Sequence, residues 1–192
     1  NSGNCLIENN RVYNCVNKGI HIGTTIENST IRNNIIEGCD ETAIYWCFGL
    51  NKTVVTNNYI KDCVYGCYGL SSDDKNSIVA FNCFDDVYCS INFTASSNGQ
   101  ILIYGNMFIN SYGSNTNQRV INIDRSDNIL ITNNLFSDWQ AGSAGLGIAF
   151  NNCNRLNISD NLFTGFIGST AIHDLATNGP TINSKISGNI IG

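Results

Sequence analysis

The chain has 192 residues, 13% of them charged, with a net charge of −5 and a pI near 4.8. Its ten Lys and Arg are scattered and form no basic stripe, which excludes a non-specific nucleic-acid binder. No apolar run approaches the roughly 20 residues of a membrane-spanning helix, and 32 Asn and 26 Ile beside a single Pro favour strands and tight turns.

The first predicted strand ends at Asn10, and its phrase returns through the whole chain. Equivalent asparagines stand at Asn10, Asn34, Asn58, Asn82, Asn106, Asn134, Asn161 and Asn189, in steps of 24, 24, 24, 24, 28, 27 and 28 residues. A fixed period in that range marks a solenoid. Three residues before each Asn stand Ile7, Ile31, Val55, Val79, Ile103, Ile131, Ile158 and Ile186; two residues after it stand Val12, Ile36, Ile60, Phe84, Phe108, Phe136, Phe163 and Ile191. Both columns are wholly apolar, while the position two before the Asn is mostly polar, so side chains alternate with the period of a strand. An inward Asn at the bend after that strand is expected to hydrogen-bond its own turn and to stack with its equivalents in an amide ladder.

A second strand follows in each coil, as in Gly19-Ile20-His21-Ile22-Gly23, Ala43-Ile44-Tyr45-Trp46-Cys47 and Val120-Ile121-Asn122-Ile123-Asp124. Its central outward column reads His21, Tyr45, Gly69, Asn92, Asn122, Ala149 and His173; the next outward column reads Gly23, Cys47, Ser71, Thr94, Asp124 and Asn151. Equivalent strands of successive coils must pair in parallel, so seven coil steps stack to about 34 Å. After Asn106 the coils lengthen by polar or Gly-rich insertions near residues 112–117, 140–143 and 176–180. Insertions on a solenoid often map to the face that binds something.

Nine cysteines suggest an oxidising, extracellular setting, and the odd count leaves at least one thiol free or paired between chains. The alternative is buried thiols acting as small hydrophobes. Cys15, Cys39 and Cys63 each stand five after the Asn in consecutive coils and form a vertical ladder. Parallel Cβ vectors make a disulfide there awkward, so reduced thiols are expected. Cys67 and Cys89 are the candidate intrachain bridge. Cys47 points outward and is the candidate crosslink between chains.

Chemistry is sparse. Asp124, Arg125 and Asp127 are the tight charged cluster near the second strand's outer face, a weak candidate for catalysis beside the plain reading of a strand-end turn with solvated charges. Glycoside hydrolysis needs two carboxylates roughly 5 to 10 Å apart, and that constellation is not evident. His21 and His173 lie six coils apart, about 29 Å, and cannot share a site. No cofactor is expected; the acidic pairs Asp73-Asp74 and Asp85-Asp86 are the weak candidates for calcium.

The recurring phrases, such as Asn28-Ser29-Thr30-Ile31-Arg32-Asn33-Asn34-Ile35-Ile36 and Gly19-Ile20-His21-Ile22, resemble the right-handed parallel β-helix repeat of pectate-lyase-like proteins over nearly the whole chain. Leucine-rich repeats share part of the pattern but require an apolar residue five before the Asn, where Cys5, Ser29, Thr53 and Ser77 stand. The resemblance implies one all-β domain over residues 1–192, a right-handed parallel β-helix (β-solenoid) of about seven to eight coils of 24–28 residues, without obvious terminal caps. The chain begins in repeat register and ends in mid-phrase, so the expectation is either a fragment of a longer solenoid or chains that associate end to end, or through cysteine. The expected function is a non-catalytic structural protein of the extracellular space or cell surface, assembling into a filament, sheath or surface layer like repeat-rich surface proteins of archaea and bacteria. The alternatives are a β-helix polysaccharide lyase or glycoside hydrolase, or a glycan-binding adhesin module, with polysaccharide as partner.

Overall fold

A computed structural model describes residues 2–70, 76–94, 100–110, 118–138, 145–165, 170–177 and 179–192. Every regular element among them is a β-strand, and the architecture is the parallel β-helix that the resemblance implies. One sheet stacks eight strands: Leu6–Glu8, Thr30–Arg32, Val54–Thr56, Ser77–Ala80, Ile101–Tyr104, Ile129–Thr132, Asn157–Ser159 and Lys185–Ser187. Each pairs in parallel with the next, so that Ile31 lies on Val55, Val55 on Val79 and Val79 on Ile103.

A 13-stranded sheet forms the other two walls. In the early coils one strand runs through both walls, as in Ile35–Asn51, Tyr59–Leu70 and Cys83–Thr94. Where the coils lengthen the walls separate, into Met107–Ile109 and Arg119–Asp124, then Leu135–Ser137 and Leu146–Asn151. The stack makes about six full turns, slightly fewer than the asparagine count suggests, because the outermost phrases flank the complete coils.

The corner between the first two walls is set by two adjacent positions. The residue before each ladder Asn has a positive φ: 60° at Asn9, 56° at Asn33, 54° at Asn57, 56° at Phe81, 63° at Gly105, 53° at Asn133, 57° at Asp160 and 68° at Gly188. Asn, Asp and Gly tolerate this left-handed conformation, which turns the chain within one residue; Phe81 does not share that tolerance. The ladder Asn then satisfies the groups the turn exposes. The Asn58 Oδ1 accepts from the Asn34 backbone N–H at 3.0 Å and from the Asn34 Nδ2 at 2.9 Å. Its Nδ2 donates to the carbonyls of Thr56 and Ile31 and to the Asn82 Oδ1. Asn34, Asn58, Asn82, Asn106, Asn134 and Asn161 are all buried, so these bonds are made out of water, where an unmade bond is costly.

Inside, the Ile/Val column from Ile31 to Ile158 is fully enclosed. Behind it Phe84, Phe108, Phe136 and Phe163 stack with centroids 5.1, 4.7 and 4.4 Å apart. Burial of each such side chain contributes about 1.5–3 kcal/mol. The core therefore holds the third wall as a rigid, evenly spaced platform.

Candidate functional site

The third wall's outward columns depart from the sequence-based alignment by one residue in one coil. The register slips between Cys39 and Thr42, so Tyr45 faces Tyr68, and Trp46 faces Gly69. The central outward column is therefore His21, Tyr45, Tyr68, Asn92, Asn122, Ala149 and His173. Gly69 instead points inward, where a Cβ would collide with the Trp46 indole. The slip is a large-for-small exchange: a buried Trp in one coil occupies the volume that a side chain on Gly69 would need.

At one end of this column the aromatic rings form a continuous pile. His21 meets Tyr45 edge-on at 5.1 Å, Tyr45 stacks on Tyr68 at 5.7 Å, and Tyr65 leans on Tyr68 at 4.7 Å. The Lys18 Nζ lies 4.7 Å from the Tyr45 ring centre and pairs with Glu41 at 3.0 Å. Because Tyr45 and Tyr68 stack on each other along the solenoid axis, their edges rather than open faces are turned to solvent.

The next coils continue the column in polar form. The Asn122 Nδ2 donates to the Asn92 Oδ1 at 2.8 Å, and Arg119 donates to the Asn122 Oδ1 at 2.8 Å. The Asn151 Nδ2 donates to the Asp124 Oδ1 at 2.8 Å. Together Thr94, Arg119, Asn122, Asp124, Asn151 and Thr177 line a cleft of about 210 Å³. The Arg119 Nε is buried there without a hydrogen-bond partner. The cleft is thus a fork of amides, one guanidinium and one carboxylate opening at the end of the tyrosine column.

Of the charged cluster expected from the sequence, the structure brings only Asp124 into the cleft. Arg125 bonds Asp124 at 2.9 Å but is itself 55% exposed and does not line the cleft. Asp127 takes part in a β-bridge with Asn154 at the next corner. Among the described residues no group of three or more His, Cys, Asp or Glu side chains is placed to cage a metal ion. Asp73 and Asp74 lie outside the described residues, while Asp85 accepts bonds from Tyr59 at 2.7 Å and Asn110 at 2.9 Å. Arg119 was not singled out in the sequence; its position just after the first insertion was the available signal.

The cysteines divide. Cys39 and Cys63 are register partners and both are buried. The expected Cys67–Cys89 bridge is not made: both thiols are free and buried, Cys67 facing Ile91 and Cys89 facing Tyr65, two positions apart along the strand. The pairing of these two strands keeps an even offset of 24 residues, and Cys67 and Cys89 are only 22 apart, so they miss each other by two positions. The side chain of Cys47 lies outside the described residues. A cavity of about 530 Å³ sits on the outer face of the first sheet along Ile78, Leu102 and Leu130, with Asn76, Gln100, Asn128, Arg155 and Asn157 around it.

Residues 1–119 match the model of the family described as "NosD: Periplasmic copper-binding protein". No curated protein matches the chain. Among solved structures, a tailspike protein mutant of E. coli bacteriophage HK620, in complex with a pentasaccharide, superposes with a TM-score of 0.63 over 99% of this chain at 16% identity. This chain spans 38% of that tailspike chain, and the likeness is one of fold.

Proposed function

The chain belongs to the NosD family of right-handed β-helix proteins, and we propose that it is a polysaccharide-binding β-helix module that works outside the cytoplasm, in the periplasm or at the cell surface. The observation that carries this is the third-wall cleft, where Arg119, Asn122, Asp124 and Asn151 converge beside the tyrosine column. Sugars present vicinal hydroxyls that both donate and accept, and a mixed fork of amide, carboxylate and guanidinium answers both. The unpartnered Arg119 Nε is a donor left over for a ligand. The column beyond the cleft offers phenol hydroxyls and ring edges at the coil spacing of ~4.8 Å, so an extended chain of sugars can be followed along the solenoid. Pockets of this kind orient a ligand with few, well-placed polar groups.

Binding is favoured over cleavage because, among the described residues, Asp124 is the one carboxylate lining the cleft, and glycoside hydrolysis uses a pair. The test is affinity electrophoresis and calorimetry against a panel of neutral and acidic polysaccharides. At least one should retard the protein, and Arg119→Ala or Tyr68→Ala should weaken that binding about tenfold, equivalent to about 1.4 kcal/mol. Retardation by none, or unchanged binding in both variants, would overturn the reading.

A second reading, self-association through an end of the stack, is supported by one observation. Ile186, Ile190 and Ile191 present an apolar end face and are 52, 65 and 61% exposed. Either another copy or further coils of a longer chain would cover it, and sedimentation of Ile190→Lys against the unaltered protein separates the two.

A further inference from the structure

The first wall carries a second concave surface, away from the third-wall cleft and independent of the polysaccharide reading. Outward positions of a strand that faces only water are normally polar. Here Val54, Ile78, Leu102 and Leu130 follow one another outward on four successive rungs, and the run ends at Asn157 and Lys185 on the next two. All four aliphatic side chains are half-buried. Ile78, Leu102 and Leu130 form the floor of the groove of about 530 Å³, a volume in the range of small-molecule sites. An unbroken outward column of aliphatic side chains marks a surface that a partner covers.

The rim is set by the turn that enters each strand. Asn4, Asn28, Asn76, Asn128 and Asn183 stand at the same corner of their coils with φ between 50 and 61°. Asn suits this left-handed conformation, so the amides of Asn76 and Asn128 along the groove have a reason in the fold itself. Arg155 holds the same corner at φ 58°, with Asn128 and Asn183 on the rungs either side. The turn does not call for an arginine there. Arg155 is exposed at one end of the groove together with Asn157. Among the described residues it pairs with no carboxylate, whereas Lys18, Arg32 and Arg125 each do. The groove is therefore polarised along its length, aliphatic over three rungs and cationic at the fourth.

Four rungs at ~4.8 Å make the groove about 14 Å long, with a floor one side chain wide. Its occupant must be narrow, apolar along most of its length and anionic at one end. Flat rings such as bases stack on aromatic side chains, and none lines the groove among the described residues. An extended peptide repeats its same-face side chains every ~6.7 Å, out of step with rungs ~4.8 Å apart. A polymethylene chain has no period to match. We propose that the groove binds a fatty acid, its acyl chain laid along the solenoid axis over Ile78, Leu102 and Leu130 and its carboxylate at Arg155 and the Asn157 amide. The acyl chain displaces water from three aliphatic side chains, and that burial supplies the affinity. Arg155 sets the direction in which the chain lies, by giving the anionic end a cation in a protein whose net charge of −5 otherwise repels it.

The test is calorimetric titration of the full chain with hexanoate, octanoate, decanoate and dodecanoate, each below its micelle-forming concentration. Affinity should rise about two- to fourfold for each added methylene, the upper figure being that for full burial. It should stop rising once the chain outgrows the ~14 Å of the groove. Decanoate should bind about fivefold more tightly than decanol, the upper end for an exposed ion pair. Arg155→Asn installs the residue found at this corner on both neighbouring rungs, so it should abolish that preference without lowering the melting temperature. Leu102→Gln should weaken decanoate binding at least about tenfold. Lys52→Asn, at the same corner but outside the groove, should bind as the unaltered protein does. No binding of any of the four acids, an affinity indifferent to chain length, decanol bound as tightly as decanoate, or undiminished binding in both Arg155→Asn and Leu102→Gln would overturn the proposal. So would a dimer in sedimentation that Leu102→Gln dissociates and decanoate does not, since a second copy of the chain would then occupy the groove.

Discussion

Replacing Asn82 by Ala tests whether the amide ladder holds the coils together. Asn82 accepts from the Asn58 N–H at 3.0 Å and the Asn58 Nδ2 at 2.9 Å, and donates to the Val55 and Ala80 carbonyls and the Asn106 Oδ1 at 3.0 to 3.1 Å. Several of these partners keep other bonds: the Asn58 Nδ2 still reaches Ile31 and Thr56, and Asn106 still accepts from the residue-82 backbone. The groups left most exposed to loss are the Asn58 N–H and the Val55 carbonyl, both buried. At about 1–3 kcal/mol for each orphaned buried group, the expected cost is about 3–5 kcal/mol. Asn10 offers the contrast. It is exposed and its side chain donates to Glu8 and Asn34, where water can replace what is lost, so Asn10→Ala should cost less than about 1 kcal/mol. Urea denaturation at equilibrium measures both. In a stack whose stability is a sum of neighbour terms, Asn82→Ala should also lower the m-value by uncoupling the halves. Costs equal at the two positions, or below about 1 kcal/mol at Asn82, would refute the ladder as the source of cohesion.

Three further outcomes follow from individual residues. Phe81 sits at φ 56° in a column otherwise filled by Asn, Asp and Gly, so Phe81→Asn should raise the melting temperature, since the left-handed region costs a bulky residue about 1–2 kcal/mol; the edge contact with Tyr104 at 5.1 Å that is lost is worth less. Gly69→Ala places a methyl against the Trp46 indole and should destabilise by about 1–3 kcal/mol, with a shift in tryptophan emission. Burial works against the charged form of Asp85, but the bonds from Tyr59 and Asn110 and the nearby Lys61 outweigh it and hold its carboxyl below the usual range. A carboxyl lowered in the folded state contributes stability above its unfolded value and loses it as pH falls through the folded one. Stability should therefore decline as the pH drops below about 4, and Tyr59→Phe should flatten that decline in melts taken across pH.

The fold was legible because the same packing problem recurs in every coil. Ile31, Val55, Val79 and Ile103 are one another's neighbours, and so are Phe84, Phe108, Phe136 and Phe163. A column that must pack on itself keeps its chemistry, and the period exposes it. The one-residue slip at Cys39 and Thr42 was not legible from the period, since the asparagines on either side of that coil remain 24 apart. What betrayed it was volume: the Trp46 indole occupies the space a side chain at the facing position of the next coil would need, and Gly69 is the residue there that lacks one. Aligning by size rather than by count would have put Tyr68 beside Tyr45.

The candidate sites sit where the columns stop repeating, and there is a physical reason for that. An inward position meets nearly the same surroundings in each coil, so one solution serves throughout. An outward position meets solvent or ligand, and successive coils touch different parts of an extended ligand. The third-wall column changes from His21 through two tyrosines to two asparagines and then Ala149 within six rungs, while the Asn ladder beside it does not change at all. Arg119 enters in the first lengthened coil, directly after an insertion, and Asp124 closes the same strand. The thiol ladder follows the same logic from the other side. Cys39 and Cys63 repeat over two buried rungs and give way to Val87, so packing alone is content with a valine there.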